Sequence, residues 1–64
     1  MKTTTAERIR ALRKRRKLTQ DDLARLTGIA QATISSWESG KNPPSRRLLA
    51  LLAKALGVKE TRII

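Results

Sequence analysis

The segment that most constrains the fold is residues 19–37, TQDDLARLTGIAQATISSW. Thr19 precedes a run in which apolar residues recur at helical spacing, and Asp22 follows three residues later. The two residues form a variant of the capping box, in which two side chains bond free amides at the start of a helix. Gly28 follows the run, where a left-handed residue commonly ends a helix. A second apolar-periodic run begins after Ile29. The segment therefore predicts two short helices joined by a sharp turn.

Both predicted helices carry an apolar face. Leu23 and Leu26 recur at helical spacing in the first helix, and Ile34 and Trp37 share one face of the second at a spacing of three. The small Ala24 lets a second helix cross the first steeply at close range. This is the pattern of a helix-turn-helix, a motif whose second helix commonly enters the major groove of DNA.

The charge of the chain agrees with a nucleic-acid partner. Its 64 residues include 15 Lys or Arg and only 5 Asp or Glu, which gives a formal net charge of +10. Such a charge opposes folding by self-repulsion unless a polyanion neutralises it. Nucleic acid is the first candidate polyanion, and an anionic membrane surface is the second. RNA stays open on charge alone, although the aromatic side chains that stack on RNA bases are missing.

Residue types absent from the sequence exclude several other functions. There is no cysteine and no histidine, so disulfides and thiolate or imidazole metal sites are excluded, and we expect no metal and no cofactor. With five acids and neither of those residues, a hydrolase is not expected, nor is a small-molecule ligand. The N-terminus has no apolar signal region, and the apolar run Leu48 to Leu56 is too short to span a bilayer. We therefore expect a cytoplasmic, nucleoid-associated protein without membrane contact.

Two more helices flank the central segment. Thr4 and Glu7 form a capping box, so a first helix should run from about Thr5 to Arg16 or Lys17, after a loose end at residues 1–3. The inward side chains of this helix are few: Ile9 and Leu12, with Ala6 or Arg13 as the next candidate. After Gly40 and two prolines, Ser45 should cap a fourth helix that ends at about Leu56. Its core stripe is Leu49, Leu52, Ala53 and Leu56.

A second apolar stripe on the fourth helix, hereafter the flanking strip, consists of Leu48, Leu51 and Ala55. The strip either widens the buried face of a small domain or lies exposed against another protein chain. Beyond the helix stop at Gly57, Val58 to Ile64 should add a short helical turn, with Val58 and Ile63 directed inward.

From Ile9 to Val58 the sequence resembles the Cro/repressor-type helix-turn-helix family, also called XRE-like. The matching motifs occur in order and at fitting spacing: I-R-x-L-R from Ile9, L-T-Q-x-x-L-A from Leu18, Gly28, I-S-x-W-E-x-G from Ile34, and P-x-x-x-x-L-x-x-L-A-x-x-L-G-V from Pro44. The resemblance implies an all-α, lambda-repressor-like domain over residues 1–64, a five-helix bundle with four clear helices and a short C-terminal one. It also implies double-stranded DNA as the partner, bound by two copies of the chain as a repressor-type transcriptional regulator.

The resemblance also assigns a structural ion pair. Arg13 and Glu38 fall where many family members place an arginine and a glutamate that link the first helix to the end of the recognition helix. Glu38 directly follows the inward-facing Trp37, so a partner for its carboxylate is also expected on physical grounds. We expect the pair to be partly buried.

The exposed side of the recognition helix should contact bases. With Ile34 and Trp37 inward, the expected base contacts are Gln31, Ala32, Ser35 and Ser36. The expected phosphate contacts are Thr19, Gln20, Thr33, Lys41, Arg46 and Arg47. Arg46 or Arg47 could instead enter a narrow minor groove. Lys54, Lys59 and Arg62 are expected to be ordinary solubilising charges.

Ala30 departs from the family pattern, which has Ser or Thr at the N-cap of the recognition helix. Alanine cannot cap the amides of Ala32 and Thr33, which costs on the order of 1 kcal/mol.

The alternative function is a protein-interaction module, antitoxin-like, that uses Leu48 and Leu51 of the flanking strip. The composition is also compatible with a trimmed or redesigned DNA-binding domain.

Overall fold

Two capping boxes start the first two helices of the computed structural model, which describes residues 4–64. Helix α1 spans Thr5–Arg15, and Thr4 caps it by accepting from the Glu7 amide at 3.1 Å while its own amide donates to the Glu7 carboxylate at 3.2 Å. Helix α2 spans Gln20–Thr27, with the same reciprocal bonds between Thr19 and Asp22. Both capping boxes expected from the sequence are therefore present.

Glycines in the left-handed region end two of the helices. Gly28 (φ 75°) closes α2, and after Ile29 and Ala30 the third helix, α3, spans Gln31–Glu38. Helix α4 spans Arg46–Leu56 behind the Ser45 cap and ends at Gly57 (φ 68°). The expected fifth helix is a single 3-10 turn, Glu60–Arg62.

The end of α1 differs from the sequence-based prediction. The helix stops at Arg15 and does not reach Arg16 or Lys17, because Lys17 adopts a left-handed φ of 58°. The turn continues with a hydrogen bond from the Leu18 amide to the Arg13 carbonyl at 3.1 Å. Leu18, half-buried, then packs against the core as expected.

The core lies where the four helices and the C-terminal turn meet. Ile34 and Trp37 are buried on the inward side of α3, and Ile63 is fully buried, as the sequence predicted. The other core side chains are Ile9, Leu12, Leu23, Ile29, Leu49, Leu52, Ala53 and Leu56. Val58 is partly buried and packs against this cluster.

Leu26 was expected on the apolar face of α2 with Leu23, and that expectation is wrong. Leu23 is fully buried, whereas Leu26 is 61% exposed. A three-residue step turns a side chain about 60° around the helix axis, and on α2 this step leaves Leu26 on the solvent side. Thr27, one full turn after Leu23, is half-buried instead and donates its hydroxyl to the Leu23 carbonyl at 2.7 Å.

The flanking strip on α4 is largely covered. Leu48 and Ala55 are partly buried and pack against the core, while Leu51 is 41% exposed. The structure therefore favours the first of the two interpretations, a broad buried face. It gives no specific support to a protein-interaction module built on Leu48 and Leu51.

Candidate nucleic-acid interface

Helix α3 presents a largely polar face to solvent because its two large apolar residues point inward. Ile34 and Trp37 are buried, whereas Gln31, Ala32 and Ser35 are exposed. Five of its eight residues are buried or half-buried, and the other three form an open edge. This edge contains three of the four residues predicted to contact bases.

Ser36, the fourth predicted base contact, is half-buried and already engaged. Its hydroxyl accepts a hydrogen bond from Asn42 Nδ2 at 2.9 Å, and its carbonyl accepts from the Lys41 amide at 3.1 Å. These bonds hold the loop after α3 beside the recognition helix. Asn42, which the sequence analysis did not single out, is exposed next to Lys41 and extends the same surface.

An ion pair ties α1 to the last residue of α3. Arg13 Nε and Nη2 donate to the two carboxylate oxygens of Glu38 at 2.7 and 2.9 Å, and both side chains are largely buried, at 10% and 4% exposure. The hydrogen bond to Glu38 raises the pKa of Arg13, so its guanidinium stays charged. Arg13 Nη1 also donates to the Leu18 carbonyl at 2.7 Å, which fixes the loop before α2. The expected pair is thus present and more buried than expected.

Gln20 connects this ion pair to the exposed edge of α3. Its Nε2 donates to Glu38 Oε1 at 3.3 Å, and its Oε1 accepts from Gln31 Nε2 at 3.2 Å. Gln20 is half-buried and Gln31 exposed, so the chain of contacts runs from the interior to the surface. Sequence analysis proposed separate roles for Gln20 and Gln31 and missed this link, because residues eleven apart give no periodic signal.

The start of α2 offers fewer free groups than the sequence suggested. The amide and hydroxyl of Thr19 are both bonded to Asp22 within the capping box. These bonds lower the pKa of the Asp22 carboxyl. Thr19 remains exposed, and although its amide is used, its hydroxyl only accepts in the capping box and can still donate its proton to an anion.

The start of α3 has no side-chain cap, as expected for Ala30. One detail of that expectation is wrong: the Thr33 amide is not left unbonded, since it donates to the Ala30 carbonyl at 3.0 Å in a tight first turn. The amides of Gln31 and Ala32 have no acceptor within residues 4–64. Thr33 itself is half-buried beside the exposed edge.

Exposed cations follow the recognition helix along the chain. Lys41 follows α3, and Arg46 and Arg47 occupy the first turn of α4, where no acidic residue is present. A cation in the first turn is opposed by the positive end of the helix dipole. The helix dipole therefore does not favour these two arginines at their positions.

Arg10 is a further cation on this side of the molecule that sequence analysis did not assign. It lines a groove of about 280 Å³ together with Arg13, Gln20, Ser35, Glu38 and Ser39. The one acid in this groove, Glu38, is already bonded to Arg13 and Gln20. Arg10 is exposed and has no ion-pair partner among the described residues.

Two short helices joined by a sharp turn, the second with an open polar edge, are the arrangement of the helix-turn-helix class of DNA-binding domains. The chain belongs to the helix-turn-helix family, whose model matches residues 9–63. This is a family of transcriptional regulators and not of enzymes. Within residues 4–64, no helix has the length and apolarity needed to cross a bilayer.

Known proteins with similar sequences are regulators and repressors. The chain is 42% identical over 50 residues to Repressor protein C2 of Salmonella phage P22, which covers 78% of this chain and 23% of that protein. It is 39% identical over 61 residues to the HTH-type transcriptional regulator DicA of Escherichia coli K12, covering 95% of this chain and 45% of DicA. The chain thus spans less than half the length of these relatives.

Solved structures show the same fold. The P22 c2 repressor in complex with a synthetic operator superposes with a TM-score of 0.92 at 33% identity, covering 98% of this chain and 96% of that one. The restriction-modification controller protein C.AhdI from Aeromonas hydrophila superposes with a TM-score of 0.89 at 28% identity, covering 94% and 91%. The all-α, repressor-like fold expected from the sequence is confirmed.

Proposed function

We propose that this chain binds double-stranded DNA sequence-specifically, with α3 in the major groove, and acts as a transcriptional regulator of the repressor type. The observation that carries the proposal is the open edge of α3, where Gln31, Ala32 and Ser35 are exposed above a ridge formed by Ile34 and Trp37. A glutamine can bond adenine N6 and N7 together, alanine fits a thymine methyl, and serine can bond several bases. The P22 c2 repressor, similar in sequence and fold, was solved with an operator bound.

Residues around α3 are proposed to hold the phosphate backbone. Gln20 and the half-buried Thr33 lie at the edges of the recognition helix, and Thr19 lies at the exposed start of α2. The exposed cations Lys41, Arg46 and Arg47 follow α3 along the chain, and Arg10 is added to them because its charge is not compensated within the described residues. Such contacts fix the register of the protein on the duplex without selecting a sequence.

Two copies of the chain are proposed to bind one operator. Dimeric helix-turn-helix proteins contact half-sites about one helical turn apart, so the operator should carry an inverted repeat with that spacing. Selection of duplexes from a random library tests both parts of the proposal. Convergence on an inverted repeat supports them, convergence on one half-site supports DNA binding by a single copy, and no enrichment contradicts sequence-specific binding.

A further inference from the structure

We propose that a groove between α1 and the C-terminal turn, hereafter the C-terminal groove, binds a small phosphate monoester whose charged group lies between Arg15 and Arg62. The inference does not depend on DNA binding. The groove has a volume of about 480 Å³, which is in the range of small-molecule sites. The lining residues used below are Glu7, Arg8, Ala11, Leu12, Arg15 and Arg62.

The two sides of the C-terminal groove are held in place by the fold. Arg8 and Arg15 lie seven residues apart on α1, so they share one side of the helix at about 10 Å along its axis. Arg8 is half-buried, and its Nη1 donates to the Ile64 carbonyl, which ties the residues after the 3-10 turn to α1. Ile63, next to Arg62, is fully buried. The groove is therefore a fixed feature of the folded chain.

Arg15 and Arg62 bring uncompensated charge to the groove. Both are exposed, and neither makes a side-chain hydrogen bond or an ion pair within residues 4–64. The one acid of the lining, Glu7, already accepts from the amide and the hydroxyl of Thr4, at 3.2 and 3.0 Å. Its position on α1 is eight residues, about 12 Å, before Arg15.

This charge selects the anionic group of the ligand. Two cations match the nearly dianionic phosphate monoester at neutral pH, and a guanidinium can bond two phosphate oxygens at once. Sequence analysis expected Arg62 to be an ordinary solubilising charge, and the proposal gives it a binding role. The pattern could not suggest this, because Arg15 and Arg62 come from opposite ends of the chain.

The surface between the arginines of α1 is apolar. Ala11 follows Arg8 by three residues and precedes Arg15 by four, so a side chain that ends at Cβ leaves a gap between them. Leu12, 8% exposed, adds a larger apolar side chain to the lining. The ligand should therefore carry a compact apolar body beside its phosphate group.

The C-terminal groove faces away from the proposed DNA-binding side. Arg10 and Arg13 of α1 line the groove beside α3. Arg8, Ala11 and Arg15 line the C-terminal groove. At about 100° per residue, these two sets lie about 160° apart around the axis of α1. A small ligand and a DNA duplex should therefore bind at the same time.

The test titrates three probes into isotope-labelled protein and follows the amide chemical shifts by NMR. Phenyl phosphate carries both the charge and the apolar body, whereas inorganic phosphate carries only the charge and phenol only the body. We expect phenyl phosphate to bind at least about tenfold more tightly than either of the other probes. Its ring protons should show intermolecular NOEs to the methyl groups of Ala11 and Leu12.

Variants then separate the groove from net charge. Arg15→Gln and Arg62→Gln should each weaken phenyl phosphate binding by about tenfold. The matched control is Arg25→Gln, which removes the same charge from an exposed position on α2 and should weaken it by less than about twofold. A random-sequence DNA duplex should leave phenyl phosphate bound.

Three results would overturn the inference. Inorganic phosphate that binds as tightly as phenyl phosphate would mean that the apolar surface has no part in binding. Equal weakening in all three variants would mean that only net charge acts. Displacement of phenyl phosphate by the duplex would make the groove a contact for the DNA backbone. None of these results concerns base preference at α3, so the inference and the proposed function can fail separately.

Discussion

Gln31 donates its side-chain amide to Gln20 Oε1 at 3.2 Å, joining the first residue of α3 to the first residue of α2. The bond lies on the open side of the helix-turn-helix, where neither helix packs against the core. A glutamine held at a fixed angle loses less conformational entropy on binding than a free one. Under the proposed function, the contact would hold the leading end of α3 in place before a base is bound.

The buried ion pair should matter far more to stability than the exposed one. Glu38→Ala leaves the Arg13 guanidinium buried without a counter-charge, which should lower the free energy of unfolding by about 3–5 kcal/mol. The matched control is Asp21→Ala, which removes the exposed pair with Arg25, joined at 3.1 Å and exposed by 61% and 79%. That change should cost under about 1 kcal/mol. If urea unfolding shows the same loss of unfolding free energy for both variants, the Arg13–Glu38 pair is effectively solvated.

Gly57 should tolerate alanine less well than Gly28. Both are left-handed, with φ of 68° and 75°, so each Gly→Ala change should cost about 1–2 kcal/mol for the backbone alone. A Cβ at Gly57 would also lie 2.7 Å from Arg16 Nη1, while at Gly28 it would meet nothing within 4 Å. Arg16 is exposed and its guanidinium can move aside, so the further cost is the loss of its 3.1 Å bond to the Leu56 carbonyl, about 0.5–1.5 kcal/mol.

A double-mutant cycle measured by urea unfolding isolates that second cost. In an Arg16→Ala background the penalty of Gly57→Ala should fall to that of Gly28→Ala. If the Gly57→Ala penalty is the same with and without the Arg16 side chain, Arg16 does not brace the end of α4.

The cap of α2 should be sensitive to acid. Hydrogen bonds from Thr19 lower the pKa of Asp22 in the folded protein, so its contribution to stability is complete above its unfolded pKa. The contribution is lost as pH falls through the folded pKa, when the carboxylate takes up a proton. The Tm of Asp22→Asn should therefore lie below that of the unmodified chain at about pH 7 and approach it at about pH 2. A Tm difference that is constant over this range would contradict the role of the carboxylate.

Arg10 should contribute to affinity without affecting sequence preference. Loss of one phosphate contact in Arg10→Ala should reduce the slope of log affinity against log salt by about 0.9. Lys54→Ala is the control of equal charge, because Lys54 is exposed near the far end of α4 and is expected to be a solubilising charge. If both variants change the slope equally, Arg10 acts only through net charge.

Local patterns predicted most of this fold because each depends on residues close in sequence. Thr4 with Glu7 and Thr19 with Asp22 are three residues apart, and a capping box at that spacing is complete in itself. The inward positions Ile34 and Trp37 follow from the helical period alone. The Arg13–Glu38 pair spans 25 residues, and the resemblance to a known family was needed to suggest it.

The features that sequence analysis missed depend on how the helices are placed against one another. Leu26 has helical spacing with Leu23, yet no neighbouring element covers its side of α2. Gln20 is an ordinary polar residue at a helix start until the packing of α2 on α3 brings it between Glu38 and Gln31. Arg10 stands out only because the fold places it in the same groove as Glu38, and the Glu38 carboxylate is already bonded to Arg13.

The most direct test of the account compares Gln31→Ala with Lys41→Ala on a panel of operators that differ by one base pair each, at several salt concentrations. We predict that Gln31→Ala changes the preferred base at one position, while Lys41→Ala weakens binding to every operator alike and lowers the salt slope by about 0.9. Uniform weakening by both variants would contradict the placement of α3 in the major groove.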